Sequence, residues 1–401
     1  MLQPISFFIN KTLHLLIIQV LQEMVTATEF FNTFKYVGLF YPNKHNIGFS
    51  PKLIVSNSLK PLPSFASSNG TGLIFLSYDL KDDIEDLHSH NENKLQFPKK
   101  LYFENEKEIE FKELDELIPT VFSSQKIKLS ATVSKDEYVE KVKKLKQHIQ
   151  LGDIYEINYC IAFEAKNVKV DPLALYQKLN SISKAPYSAL IKLDSKYIIS
   201  SSPELFLSKR KNTLYTKPIK GTAKRGINLQ DDRSNKNELQ NSLKERTENV
   251  MIVDVARNDL SRLAKKGSVA VEKLYDIETY DQVHQMVSTV RCELKENINL
   301  ENIIQATFPM ASMTGAPKIR AMQLIDEYEL YSRGPYSGCV GYLNTDGDLD
   351  LSVLIRSIFY DESTGYLSFS VGSAITHLCD PEKEYEECLL KAKAMMQVLE
   401  N

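Results

Sequence analysis

The chain has 401 residues, 43% hydrophobic and 25% charged, so it carries enough apolar side chain to bury a large core in one big domain or two smaller ones, and its composition excludes a disordered chain. With 52 acidic against 49 basic residues the formal net charge is -3, which excludes the basic field that DNA or RNA binding needs. The five cysteines (Cys160, Cys292, Cys339, Cys379 and Cys388) are odd in number and lack Cys-x-x-Cys spacing, a pattern that fits a reducing cytoplasm.

In chain order, the first apolar stretch is residues 13–21. His14 and Gln19 interrupt it, and it is too short for a bilayer core of ~30 Å. No small-residue cleavage site follows closely, so it reads as a core-facing helix; Met24 is an alternative start that would remove residues 1–23 from the protein. No repeat or Gly/Ser-rich linker cuts the chain. The softest boundary, near residues 120–130 at Ser123-Ser124-Gln125-Lys126, separates an amino-terminal region (1–125) from a main domain (126–401).

A helix is predicted from around Asp136, because Tyr138, Val142, Leu145 and Ile149 recur at helical spacing and Gly152-Asp153 stops the run. Residues 197–207 and 214–222 are rich in β-branched and aromatic side chains and are joined by the turn-like Lys211-Asn212, which predicts a hairpin. A long helix is expected over about 235–264, another from near Pro317 and a last one over 382–400, with strands at 338–343, 350–360 and 366–371. These elements predict an α+β architecture with large, mostly antiparallel sheets.

Two of the helices carry acidic stripes. Glu245 and Glu248 are three residues apart, and Leu239, Leu243, Val250 and Val253 fall on a separate apolar stripe. On the last helix Glu384, Glu387 and Lys391 lie together, while Tyr385, Leu389 and Met396 form the core stripe. Either stripe alone fits a solvated helix face with an i,i+4 pair. If the two face each other, four carboxylates converge, an arrangement stable around a hard cation such as Mg²⁺.

Lys220, in Lys217-Pro218-Ile219-Lys220-Gly221-Thr222, shares a strand face with Thr222 by alternation. It reads as a surface residue or as a nucleophile, for which burial and the nearby Lys217, Lys224 and Arg225 would lower its pKa. Ser312, Thr314 and Gly315 precede the helix start at Pro317, where capping or anion binding explains the pattern equally. Arg356, at the end of an apolar strand, needs an anionic partner that a carboxylate would supply. Gly372-Ser373-Ala374 either offers backbone N–H groups to the same ligand or makes a tight turn.

Taken in order, Ser202-Pro203-Glu204-Leu205, residues 218–222, residues 245–259 (ERTENVMIVDVARND), His284, residues 308–318, residues 333–341, Arg356 and residues 384–391 resemble the chorismate-utilising enzymes. That family includes anthranilate synthase component I, aminodeoxychorismate synthase component I, isochorismate synthase and salicylate synthase. The resemblance is strong over residues 130–401 and looser before, at residues 72–80 and Ile84-Glu85. It implies a fold like that of anthranilate synthase component I, with two large antiparallel sheets stacked as a sandwich and helices around them.

The same resemblance makes Glu248 and Glu387 magnesium ligands, supported by Glu245 and Glu384. It gives Tyr336, Arg356, Lys391, Thr222, Ser312 and Gly372 to the substrate, His284 to the reacting ring, and Glu204 to protonation of the departing C4 hydroxyl. Glu156 stands where water-adding members carry lysine, and Lys220 stands where anthranilate synthases carry alanine. Asn249, in place of histidine, leans the same way. Together they point to aminodeoxychorismate synthase component I with Lys220 as covalent nucleophile, and to ammonia from a glutamine amidotransferase subunit. Anthranilate synthase component I and a catalytically silent binding subunit are the rival readings. Glu156 for the usual glutamine and Ala374 for a second glycine depart from the family pattern, and no Leu-Leu-Glu-Ser segment marks a tryptophan site.

Overall fold

The computed structural model of the protein describes residues 27–107 and 126–400, apart from 44, 46–48, 64, 66–69 and 282. The apolar stretch 13–21, the alternative start Met24 and most of the 123–126 boundary lie outside them. Two nine-stranded sheets form the framework, and every strand pairing in them is antiparallel. The first sheet runs Gly315–Ala316, Glu156–Ala165, Tyr366–Ile375, Ser357–Asp361, Lys196–Ser202, Tyr187–Leu193, Tyr36–Tyr41, Lys52–Ser56, with Ser130–Ala131 also on Glu156–Ala165. The second runs Ile219–Lys224, Val283–Glu293, Thr213–Lys217, Leu205–Arg210, Leu349–Val353, Cys339–Leu343, Gly72–Leu76, Lys100–Glu104, with Ala270–Thr279 on Val283–Glu293.

Strand alternation sorts the apolar residues into two cores. Phe40, Ala189, Ile191, Ile198 and Phe359 of the first sheet pack with Ile74, Leu207, Val340 and Leu351 of the second. Their sequence neighbours Leu39, Leu190, Ile199 and Ile358 face the helices Lys135–Leu151, Pro172–Ser183 and Pro381–Glu400 on the outer side. The result is the expected α+β sandwich, two sheets stacked face to face with helices outside. Strands from residues 36–104 are built into both sheets, against Tyr187–Leu193 and Cys339–Leu343.

Several elements match their sequence signals. The Lys135–Leu151 helix opens on a capping box, in which Ser134 and Glu137 satisfy each other's backbone N–H, and closes on Gly152 at φ 82. Other expectations need correction. The 235–264 helix is two helices, Leu229–Asn241 and Leu243–Leu263, broken at Ser242, whose hydroxyl caps the second. The 197–207 segment is also two strands, because Pro203 marks the place where the chain leaves the first sheet for the second. Only Leu205–Arg210 and Thr213–Lys217 form the hairpin.

The apolar stripes shift as well. Leu243 and Val250 are exposed, and Asn249, Ile252, Val253, Ala256 and Leu260 face inward instead. On the last helix Leu389 is exposed, and Cys388, Ala392, Met395 and Leu399 are the buried side chains.

Candidate active site

The chain changes sheets twice within a few ångströms of itself. Lys196–Ser202 passes to Leu205–Arg210 through Pro203 and Glu204, and Leu349–Val353 passes to Ser357–Asp361 through Leu354, Ile355 and Arg356. Backbone hydrogen bonds tie the crossings together: Val353 N–H donates to Glu204 O at 3.0 Å and Ser201 N–H to Arg356 O at 3.1 Å. Arg356 holds the left-handed φ of 52 that this crossing demands. Side chains at such a junction point into the gap where the sheets part, and the polar residues collect there.

Glu204 is buried at its crossing. Burial raises its carboxyl to about 7, although Ser312, Lys220 and Lys391 pull the other way. Ser312 is carried there by the loop before Gly315–Ala316, which pairs with Ile157 and Glu156 and passes so close that only glycine fits at 315.

Lys220 lies beside Glu204 in charge and is fully enclosed. Its ammonium donates to Glu156 Oε1 at 2.5 Å. Burial alone would lower its pKa, but Glu156, Glu248 and Glu204 outweigh burial and push it up to about 12. The expected lowering by neighbouring cations is therefore corrected, since Lys217 faces Glu278 and Arg225 is held by Asp232 and Tyr280 O. Alternation also fails between Lys220 and Thr222, because the register slips at Gly221, φ 85, whose missing Cβ makes room for Glu245. Lys220 turns inward while Thr222 borders the cavity described below.

The two acidic helices do face each other. Lys244 Nζ lies 3.0 Å from Glu384 Oε1, 3.8 Å from Glu248 Oε1 and 4.0 Å from Glu387 Oε2, bridging Leu243–Leu263 to Pro381–Glu400. Lys391 pairs with Glu387 at 2.8 Å and donates to Gly372 O. Burial pushes Glu248 up to about 8 against the pull of Lys220 and Lys244, and burial also raises Glu245 and Glu384. Glu387 is held below the ordinary range, since Lys391 and Lys244 overcome its burial.

Two buried oxygens of the cluster, Glu248 Oε1 and Glu384 Oε2, have no hydrogen-bond partner among the described residues. An all-carboxylate set with spare oxygens suits a hard divalent cation. Even so, no three His, Cys, Asp or Glu side chains among the described residues stand ready as a metal cage.

A cavity of about 320 Å³ opens beside these groups, its wall including Ser201, Thr222, Gln285 and Arg356. The Arg356 guanidinium has no hydrogen bond or ion pair to any described residue; burial pushes its pKa down, with Tyr336 and Glu387 pulling it back. Tyr336 is buried nearby, its hydroxyl 3.7 Å from Cys160 Sγ.

His284 is not brought to this wall. Its ring contacts Asp232 at 3.0 Å and Thr279 at 2.9 Å, under the Leu229–Asn241 helix. In the register Ala223 opposes His284 and Thr222 opposes Gln285, so Gln285 shares the face of Thr222. Gln285 is buried, its Oε1 unpartnered, and nothing in the sequence singled it out except its place one residue along the same strand. Gly372 makes no turn either: it lies inside Tyr366–Ile375, where a Cβ would strike Cys160 and Asn158, and it offers its carbonyl to Lys391.

A family model described as chorismate binding enzyme matches residues 57–397. Aminodeoxychorismate synthase of Streptomyces griseus is 41% identical over 267 residues, 66% of this chain and 36% of that protein. Aminodeoxychorismate synthase component 1 of Klebsiella aerogenes is 38% identical over 271 residues, 68% of this chain and 59% of that one. Anthranilate synthase component 1 of Aquifex aeolicus is 39% identical over 267 residues, 67% and 53%. The matched stretch thus spans from about a third to three-fifths of these relatives. The solved structure of anthranilate synthase component I from Streptococcus pneumoniae superposes with a TM-score of 0.72 at 23% identity, over 91% of this chain and 92% of that one, which speaks for the fold.

Proposed function

The chain belongs to the chorismate-binding enzymes, and we propose that it is the subunit that aminates chorismate at C4, giving 4-amino-4-deoxychorismate for folate synthesis. One observation carries this reading beyond the family: an enclosed lysine, Lys220, beside a carboxyl, Glu204, that burial raises to about 7, so that a substantial share of it is protonated at neutral pH. A displacement reaction needs such a pair, a nucleophile on one side and a proton donor for the leaving group on the other.

In this mechanism Arg356 takes a substrate carboxylate, with Tyr336, Thr222 and Lys391 around it and Gln285 available to a neutral polar group. Lys220 gives its proton to Glu156 Oε1, to which it is already bonded, and its free amine attacks C2. The ring double bond shifts, and the C4 hydroxyl leaves as water with the proton of Glu204. Ammonia then bonds to C4 and its surplus proton goes to the Glu204 carboxylate, the double bonds shift back, and the C2–N bond breaks to release the Lys220 amine, which regains its proton from Glu156. Glu248 and Glu387, supported by Glu245 and Glu384, would hold Mg²⁺, which when bound supplies positive charge to a substrate carboxylate.

The ammonia is assigned to a separate glutamine amidotransferase. No helix among the described residues is long and apolar enough to cross a membrane. Together with five free, buried cysteines this fits a cytoplasmic enzyme.

The test is to incubate the protein with chorismate, Mg²⁺ and ammonium, with and without aminodeoxychorismate lyase, beside Lys220→Ala. The expected result is 4-aminobenzoate only when the lyase is added, and none from the variant. Anthranilate as product, or equal behaviour of the two proteins, overturns the assignment.

A further inference from the structure

Among the described residues Lys244 is the one cation that touches both acidic helices. Lys220 is hydrogen-bonded to Glu156 and Lys391 to Glu387 and Gly372 O, which leaves Lys244 as the direct partner of Glu384 and a second cation, beside Lys220, acting on Glu248. Its stem starts in the first turn of Leu243–Leu263, from which the ammonium reaches Glu248 four residues on and Glu384 across the gap. The two buried carboxylate oxygens without partners, Glu248 Oε1 and Glu384 Oε2, sit on the two residues this ammonium bridges.

We propose that Lys244 is a tethered counter-cation that occupies the carboxylate cluster in the metal-free protein and must leave when a divalent cation enters. The inference rests on the magnesium reading above. Metal–oxygen bonds of roughly 2.0–2.1 Å to Glu248 and Glu384 would put a doubly charged ion against an ammonium that is 3.8 Å from a Glu248 oxygen and 3.0 Å from a Glu384 oxygen. Like charges at that separation repel strongly where water is scarce. Lys244 has somewhere to go, because its side chain is 44% exposed while Glu248 and Glu384 are 7% and 3% exposed. The same occupancy, shared by Glu248, Glu384 and Glu387, accounts for the lack of a preformed cage among the described residues. The carboxylates are spaced around an ammonium, and closing on a smaller ion requires its departure.

The experiment measures Mn²⁺ and Mg²⁺ affinity of the full chain without chorismate, by electron paramagnetic resonance and calorimetry, for the wild type, Lys244→Met and Lys244→Arg. Lys244→Met is expected to bind metal about tenfold tighter or more, since no ammonium competes, with Lys244→Arg near the wild type. Metal-free Lys244→Met is expected to melt below the wild type, and saturating Mg²⁺ to close the gap. In the wild type, acylation of the Lys244 amine should rise on adding Mg²⁺, which keeps the idea testable if the variant does not fold. Unchanged or weaker affinity in Lys244→Met, or Mg²⁺ protection of the amine, overturns the inference and leaves the magnesium reading standing. Absence of metal binding in all three proteins overturns both.

Discussion

A guanidinium buried without an anion lowers the stability of the free protein, because desolvation of the charge is not repaid. Arg356 is close to that state: its guanidinium stands on the cavity wall with no hydrogen bond or ion pair to a described residue, and Glu387 offsets only part of its desolvation. Arg356→Met is therefore expected to keep or raise the thermal midpoint while weakening chorismate binding by about 100-fold, measured by differential scanning fluorimetry and equilibrium binding. Glu204 gives a pH test. Its carboxyl, raised to about 7 by burial, is protonated below that value and ionised above it, and only the protonated form can donate to the C4 hydroxyl. The rate of hydroxyl loss should fall as pH rises through about 7, and Glu204→Gln should remove the activity while leaving chorismate binding.

His284 and Gln285 show where residue-level reading fails. Neighbours on a strand face opposite ways, so an assignment displaced by one residue changes the side of the sheet altogether. Gln285→Leu should raise KM for chorismate; His284→Ala, which breaks contacts to Asp232 and Thr279, should lower stability with little change in KM.

Helices were legible where a cap follows non-helical sequence and misread where a cap lies inside a helical pattern. Ser134, Glu137 and Gly152 announce Lys135–Leu151, but no proline or glycine marks the break between Asn241 and Leu243. Ser242 makes that break by capping the following helix with its hydroxyl, at the same Ser-x-x-Glu spacing, Ser242 to Glu245, as Ser134 to Glu137, but this cap lies inside a continuous helical pattern that hides it. Because Lys244, Glu245 and Glu248 follow that cap, Ser242→Ala should cost about 1 kcal/mol in denaturant unfolding. The apolar stripes failed for a related reason. A helix with carboxylates turned inward must rotate its face, so Leu243 is left exposed while Asn249 and Glu248 are buried.

At the scale of the molecule alternation sets the first sheet between two cores, since Leu39 and Phe40 divide between them, whereas consecutive residues of the second sheet such as Leu73, Ile74, Phe75 and Leu76 all belong to one. What alternation does not disclose is which strands change sheets, because residues 197–207 read equally well as one strand; Pro203 is the only sign. The cysteines bear on the partner. All five are buried, and burial raises the thiols of Cys292 and Cys388 to about 11, so they remain protonated at neutral pH. The purified chain should form product from ammonium and none from glutamine until an amidotransferase is added, as chromatography of the products would read.

The two sheet crossings also act as a caliper. One jaw carries Glu204, the other Arg356, and the bonds from Val353 to Glu204 and from Ser201 to Arg356 tie the two together. The opening between the jaws is set by how far one sheet is slipped along the other, a quantity shared by every strand of both. A disturbance anywhere in the sandwich that lets the sheets slide would mis-set the gauge before it unravels any strand.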